Sequence, residues 1–201
     1  EKLKPYLEGE IGKALQQEVT FDSISTRFFT GLTLNKIQIK SLKQTVTPET
    51  TTQIESLSLW LNPFFLLLGE KMVSLEARLK GGTVKGKVST GEDYLYVDLA
   101  VNALPLEELK FLESFSKVSP AGKLNGEVLI ETELKNLGSS EGLFNLKAKQ
   151  LTLRELSIAT TMGDLIFANL NFNDLVFVGQ IDKGKIALKN VKIASGSIFG
   201  S

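Results

Sequence analysis

The sequence of 201 residues contains no cysteine and no histidine. Without cysteine the chain has no disulfide, no thiolate nucleophile and no thiolate ligand for zinc. Without histidine it lacks the usual general base near neutral pH, so Ser-His and Cys-His mechanisms are excluded. An enzyme built on this sequence would have to work with carboxylates and lysines alone. We therefore expect a protein that is not an enzyme and that uses no metal or cofactor.

Long apolar runs and an excess of charge of one sign are also missing. The longest apolar run, PFFLLLG at 63–69, is far shorter than the ~20 residues that a membrane-spanning helix requires. Lys and Arg together number 23, as do Asp and Glu, and the basic residues are scattered along the chain. A nucleic-acid-binding face needs clustered basic residues, so we expect no nucleic-acid partner.

Most of the chain alternates apolar and polar residues in the way that predicts β-strands. The stretches ESLSLWL at 55–61 and YLYVDLAV at 94–101 place every second, apolar residue on one face. Glycine-containing turns, among them 138–142 and 182–184, separate roughly nine or ten such strands by periodicity. No low-complexity linker divides the chain, so we predict one β-rich domain over 1–201.

Two segments break this alternation and predict helices. The first spans about 2–16 and places an apolar residue every fourth position on one face: Leu3, Leu7, Ile11 and Leu15. The second spans about 105–117, begins with proline and carries acidic residues in its first turn. The first helix covers one end of the core or, alternatively, lies on a membrane surface.

Three strands contain the same irregularity. The motifs LTLNKIQI at 32–39, LTLRELSI at 151–158 and IALKNVKI at 186–193 each alternate, slip by one residue and alternate again. An extra residue of this kind indicates a β-bulge or a sharp bend, which returns the apolar residues to the same face. The spacing of the motifs follows no fixed period, which argues against a solenoid. Repeated bends predict a strongly curved sheet.

The predicted fold is therefore mainly β: a long curved antiparallel sheet with two helices, too few to cover its apolar face. Such a sheet either folds over into a sandwich with a dry core or stays an open trough. Nine strands ~4.8 Å apart give a trough about 40 Å long, enough for an extended acyl chain. The candidate residues for a lipid groove are Leu95, Val97, Leu99, Val101, Val128, Ile130, Phe144 and Leu146. In the alternative, these eight side chains pack against one another.

A second candidate surface follows the strand at 55–61. Its apolar residues are Trp60, Phe64, Phe65, Leu66 and Leu67, which flank Asn62-Pro63. An exposed loop of this composition would insert into a membrane or a partner protein. If it is folded under the sheet, it is instead a cap on the end of the core.

The first third of the chain resembles the AsmA-like superfamily of Gram-negative envelope proteins. The resemblance rests on an amphipathic helix followed by EVTFDSISTRFFTGLTLNKIQIKS at 18–41 and IESLSLWLNPFFLLLGEK at 54–71. The tail VFVGQIDKGKIALKNVKIASGSIFG at 176–200 is similar to that of GspN-type proteins of type II secretion systems. These motifs are hydrophobic patterns rather than polar signatures.

The resemblance implies a β-rich periplasmic body anchored in the bacterial inner membrane by one N-terminal helix. We expect that anchor to lie outside the sequence at hand, because no run in it is long enough. The implied partners are lipid acyl chains, the inner membrane and secretion-system proteins. The implied function is envelope lipid transport along an apolar groove, or type II secretion. The rival interpretation is a structural interaction module with a dry β-sandwich core that acts as a scaffold.

Overall fold

The computed structural model describes residues 3–15, 17–27, 30–40, 51–63, 71–91, 93–109, 119–134, 136–160 and 163–199. Within these ranges, side chains are described except at 14, 27, 119, 137, 155–160, 163–168 and 194–199. The described residues form helix α1 (Leu3–Leu15) and strands β1 (Glu18–Thr20), β2 (Ser23–Arg27), β3 (Gly31–Lys40), β4 (Thr51–Leu61), β5 (Lys71–Leu79), β6 (Gly82–Thr90), β7 (Tyr94–Pro105), β8 (Ser119–Glu133), β9 (Asn136–Thr160), β10 (Gly163–Asp182) and β11 (Lys185–Phe199).

All eleven strands belong to one antiparallel sheet. From β3 to β11 each strand pairs with the next in the chain, and β1 and β2 both pair with β3. Tight hairpins produce this order; Lys183-Gly184, for example, has φ of 48° and 70° in a two-residue loop, as a type I′ turn requires. The described path ends at β1 and β2 on one side and at β11 on the other, so the sheet is open. The prediction of a mainly β antiparallel sheet is confirmed, with more strands than the nine or ten expected.

The three slipped motifs form two different structures. In β3 the slip occurs at Lys36, which has φ of 50°, while Asn35 pairs with Ser56 and Ile37 with Ile54. Lys36 and Glu55 of β4 are therefore both left out of the strand pairing, and the register is the same on either side of them. The motif at 151–158 behaves in the same way against β10. Only the motif in β11 contains a true bulge against its neighbour, at Lys189, with a change of register.

Two further bends, one in β9 with β10 and one in β7, lie outside the three sequence motifs. Gln150 in β9 has φ of 51° and is skipped together with Asn173 in β10. A bulge in β7 is marked by Ala103, whose φ is 50° and whose backbone N–H donates to Asn125 Oδ1 at 2.9 Å. The bends therefore lie side by side across several strands, which curves the sheet along a line.

Two clusters of buried residues each contain residues from both sides of a bend. One contains Val19, Phe21, Leu34 and Ile37, with Leu7 and Ile11 of α1 packed against it. The other contains Leu106, Ala148, Leu151 and Leu175. Leu34 and Ile37 are separated by the bend at Lys36, and Ala148 and Leu151 by the bend at Gln150. The extra residue at each bend therefore places the apolar side chains before and after it in the same buried cluster.

The structure corrects three sequence predictions. Pro105 ends β7 rather than starting a helix, and the described residues after it form a 3₁₀ turn at Leu106–Glu108; the rest of the predicted helix at 105–117 lies largely outside the described residues. The predicted turn at 138–142 lies inside β9, because the hairpin turn is at Leu134. In α1, Leu3 and Leu15 are exposed rather than packed on the core.

Candidate functional site

The strand register aligns apolar residues, with glycine at four positions, into three adjacent rows on one face of the sheet, which we call the apolar floor. The lower row contains Leu34, Leu57, Ala77, Val84, Val101, Gly126, Leu146, Phe177 and Val191. The middle row contains Leu32, Leu59, Leu75, Gly86, Leu99, Val128, Phe144, Gly179 and Leu188. The upper row contains Leu61, Val73, Val88, Val97, Ile130, Gly142, Ile181 and Ile186.

The eight predicted lipid-groove residues fall on this face. Leu99, Val128 and Phe144 belong to the middle row, Val101 and Leu146 to the lower row, and Val97 and Ile130 to the upper row. Leu95 lies one position beyond the upper row, opposite Thr132. All eight side chains are half-buried.

Both long margins of the floor are defined by a change in side-chain type or burial. Beyond the upper row the face becomes polar, where Thr90 and Thr132 flank Leu95 and the Ser140 hydroxyl donates to Thr132 Oγ1 at 2.9 Å. Beyond the lower row lie the buried residues Leu79, Leu104, Ala148 and Leu175. The floor is thus a band closed along one margin by the core and bounded along the other by polar groups.

Burial differs between the closed margin and the rows of the floor. Leu175 and Ala148, at the closed margin, are 5% and 1% exposed. In the central strands, the described side chains of all three rows are half-buried. A dry core would bury these central rows as completely as it buries the margin. The described floor is therefore an apolar surface with partial access to water.

The total surface area is consistent with such an open arrangement. The whole chain exposes 13672 Å². This is about one and a half times the area expected of a compact monomer of this length. A single sheet that presents both faces to solvent has a large surface for its mass, whereas a sandwich covers one face of each sheet.

The opposite face of the sheet is mostly polar, with an apolar patch of Leu129, Leu143 and Val178, and it carries several surface depressions. Trp60 belongs to β4 rather than to a loop, and it faces this side opposite Ser74. It lines a depression of about 340 Å³ together with Glu76, Lys85 and Lys87. The other loop candidates, Phe64, Phe65, Leu66 and Leu67, lie outside the described residues. Trp60 is therefore separated from the apolar floor by the thickness of the sheet.

Sequence reasoning missed the outer parts of the floor. It did not assign Leu32, Leu59 and Leu75 on one side, or Phe177 and Leu188 on the other, although the register joins them to the predicted residues. The sequence contains a signal for these outer residues, because IESL at 54–57 has the same one-residue slip as β3, the strand that it pairs with. Comparing the slip positions of neighbouring strands would have extended the floor.

The described residues contain no grouping of three or more Asp or Glu side chains that could hold a metal ion. Each ion pair among them has at least one exposed partner, as in Lys147–Asp174 at 3.1 Å and Lys36–Asp22 at 3.0 Å. No helix in the described part of the chain is long and apolar enough to cross a membrane. The most distinctive surface is the apolar floor.

No family model, curated protein or solved structure matches this chain. The class that fold and site define is therefore a single-sheet, mainly β protein with a partly exposed apolar face.

Proposed function

We propose that this protein is a non-enzymatic lipid-binding domain whose ligand is an acyl chain lying on the apolar floor. The observation that carries the proposal is the continuity of three apolar rows across β4 to β11, half-buried in the central strands. A solvated sheet face ordinarily interrupts such rows with polar residues, and a core buries them. An extended, partly exposed apolar surface is typical of a binding surface.

The shape of the floor determines how the ligand lies. Strands about 4.8 Å apart make the floor about 40 Å long across nine strands, while rows about 7 Å apart make it roughly 14 Å wide. An extended acyl chain therefore fits across the strands, parallel to the rows. A polar headgroup would lie at the margin that begins at Thr90, where the face turns from apolar side chains to hydroxyl groups.

The open floor implies loose and exchangeable binding. Burying ~15 methylenes completely is worth about 12 kcal/mol at ~0.8 kcal/mol each. A chain lying on one open face is covered on only one side, so roughly half of this, about 6 kcal/mol, is available before ordering costs. That corresponds to a Kd on the order of tens of micromolar or weaker. Such an affinity suits transfer of lipid better than storage.

The proposal extends to the place of the protein in the cell. The order of an N-terminal helix, a bent strand and a strand that is followed directly by Asn62-Pro63 supports an AsmA-like, GspN-type protein. We place it in the periplasm, anchored to the bacterial inner membrane, with a role in envelope lipid transport or type II secretion. Fractionation of tagged full-length protein tests this: it should sediment with inner membranes and be digested by protease in spheroplasts.

Titration with a fluorescent long-chain fatty acid tests the lipid site. The wild-type protein should show saturable binding, and Val97→Asp should weaken it strongly because a carboxylate then interrupts the upper row. Ala100→Asp is the matched control, since Ala100 lies on the same strand, exposed on the polar face. Equal binding by both variants, or no uptake by the wild type, would reject the proposal and favour a structural scaffold.

A further inference from the structure

Two depressions on the polar face of the sheet join into one groove. The first, of about 340 Å³, lies across β4 to β7 and is lined by Trp60 at one end and Ala100 at the other. The second, of about 520 Å³, lies across β7 to β10 and extends from Ala100 to Val176. Ala100 lines both depressions, and its short side chain leaves no barrier between them. We call the joined depressions the polar groove.

The polar groove lies on the interior strands of the sheet. Each strand from β4 to β10 is paired on both sides, so the groove does not depend on either edge. Six strand spacings of ~4.8 Å separate β4 from β10, which makes the groove about 29 Å long. A groove of this length fits an extended chain of several units rather than a single small molecule.

The charges that line the polar groove balance one another. It is lined by three lysines and three carboxylates: Lys85, Lys87, Lys147, Glu76, Asp98 and Glu127. Opposite signs face each other across neighbouring strands, because Lys85 pairs with Glu76 and Lys87 with Asp98. A surface without net charge does not attract a polyanion such as nucleic acid. The polar groove therefore favours an uncharged ligand.

Uncharged polar side chains add hydrogen-bonding groups of both kinds. Asn102, Asn125 and Asn145 line the second depression, and Ser74 lines the first. Side-chain amides and hydroxyls can each donate and accept. The Asn125 Oδ1 atom accepts from the backbone N–H of Ala103 at 2.9 Å, which holds this side chain in place. Such groups complement a ligand rich in hydroxyls, since a hydroxyl also donates and accepts.

Trp60, the single tryptophan of the chain, lies at one end of the polar groove. It is half-buried opposite the small side chain of Ser74. An indole offers a large, rigid apolar surface at a low entropic cost. A sugar ring has faces of C–H bonds and a rim of hydroxyls, so it can stack on an indole and bond to polar groups beside it. A nucleobase also stacks on an indole, but its phosphate backbone needs a positively charged groove.

The geometry points to a binding site for a linear, uncharged oligosaccharide in the polar groove. One sugar ring stacks on Trp60, and the chain continues across the strands to Asn102 and Asn145. Because the groove is shallow, each ring makes few contacts, and affinity comes from several rings together. This site does not rest on the lipid proposal, since the apolar floor is on the other face of the sheet.

The fluorescence of Trp60 reports on this site directly, because the chain has no other tryptophan. Cellohexaose, maltohexaose and the hexasaccharide of N-acetylglucosamine are the probes, and comparing them identifies the type of sugar chain. At least one should change the emission saturably, at a lower concentration than its own monosaccharide. Calorimetry of Trp60→Ala, with folding checked by circular dichroism, should show no binding of that hexasaccharide.

A double substitution tests whether the ligand reaches the second depression. Asn102→Ala combined with Asn145→Ala should weaken hexasaccharide binding by about tenfold through the loss of two hydrogen bonds, and should leave Trp60 as the reporter. Asn190→Ala is the matched control, because Asn190 is exposed on the same face of β11, outside the groove, and should leave binding unchanged.

The results that would overturn the inference are distinct from those that test the lipid site. No emission change with any of the three hexasaccharides, equal affinity for monosaccharide and hexasaccharide, or equal weakening by Asn190→Ala would overturn it. Preferential binding of single-stranded DNA or heparin would also overturn it and assign the groove to a polyanion. Val97→Asp, which interrupts the apolar floor, should bind the hexasaccharide as the wild type does, so either proposal can fail without the other.

Discussion

Replacing Val97 by aspartate distinguishes an open floor from a dry core. Val97 lies in the upper row, half-buried between Val88 and Ile130. On an open floor the carboxylate stays hydrated, and the loss is only part of the ~1.5–3 kcal/mol that full burial of such a side chain contributes. We expect a decrease of about 1 kcal/mol in the free energy of unfolding. In a dry core the buried, unpaired charge would instead cost about 3–5 kcal/mol.

Two reference variants make this measurement decisive. Leu175→Asp places the same charge in the closed margin, where the side chain is 5% exposed, and should cost at least about 3 kcal/mol. Ala100→Asp, exposed on the polar face, should change stability by less than about 0.5 kcal/mol. Urea unfolding monitored by the single tryptophan, Trp60, and by circular dichroism measures all three. If Val97→Asp loses as much stability as Leu175→Asp, the floor is dry and the reasoning is wrong.

Three further predictions concern the bends, the helix and the core. Lys36→Gly should leave the melting temperature unchanged or raise it, whereas Lys36→Val should destabilise by about 1–2 kcal/mol, because φ at this position is 50°; equal melting temperatures would contradict this. Gly9→Ala should stabilise by about 0.5–1 kcal/mol in thermal melts, since a Cβ there meets nothing within 4 Å. Gly12→Ala should gain less, because its Cβ would lie 2.9 Å from the Gln17 carbonyl oxygen; a larger gain at Gly12 would refute the packing argument. Leu34→Ala should cost about 2–5 kcal/mol in chemical denaturation, since Leu34 is 1% exposed, while Ile186→Ala, at 72% exposed, should cost little; similar losses would place the core elsewhere.

The alternation of apolar residues was enough to predict most strands and the shared face of the central ones. This succeeded because neighbouring antiparallel strands with short hairpins keep consecutive strands adjacent, so residues on one face of each strand meet. Val97, Leu99 and Val128, which were predicted to share one face, therefore lie on the same face of β7 and β8.

The nature of each bend could not be predicted from its own strand. LTLNKIQI and IALKNVKI show the same slip, yet Lys36 lies in a bend shared with β4 and Lys189 in a bulge against β10. The outcome depends on whether the partner strand also slips, which is a property of the pair. The turn predicted at 138–142 failed for a related reason, because this stretch lies at an irregularity in the pairing of β8 with β9, between the pairs Glu133–Asn136 and Glu131–Glu141, and not at the hairpin turn.

Burial was the other property that the sequence did not determine. Leu99 and Leu175 are equally apolar, but one is half-buried on the floor and the other is in the closed margin. Leu175 packs in the buried cluster with Leu106, Ala148 and Leu151, whereas Leu99 lies outside that cluster. That geometry is set by many strands together.

Photo-crosslinking at two adjacent residues tests the central claim most directly. Phe144 lies in the middle row of the floor, whereas Leu143 faces the opposite side of the same strand. Benzoylphenylalanine is placed at one position or the other, the protein is irradiated in cells, and bound lipid is identified by mass spectrometry. Our account predicts lipid adducts at position 144 and none at position 143. Adducts at both positions, only at 143, or at neither would contradict it.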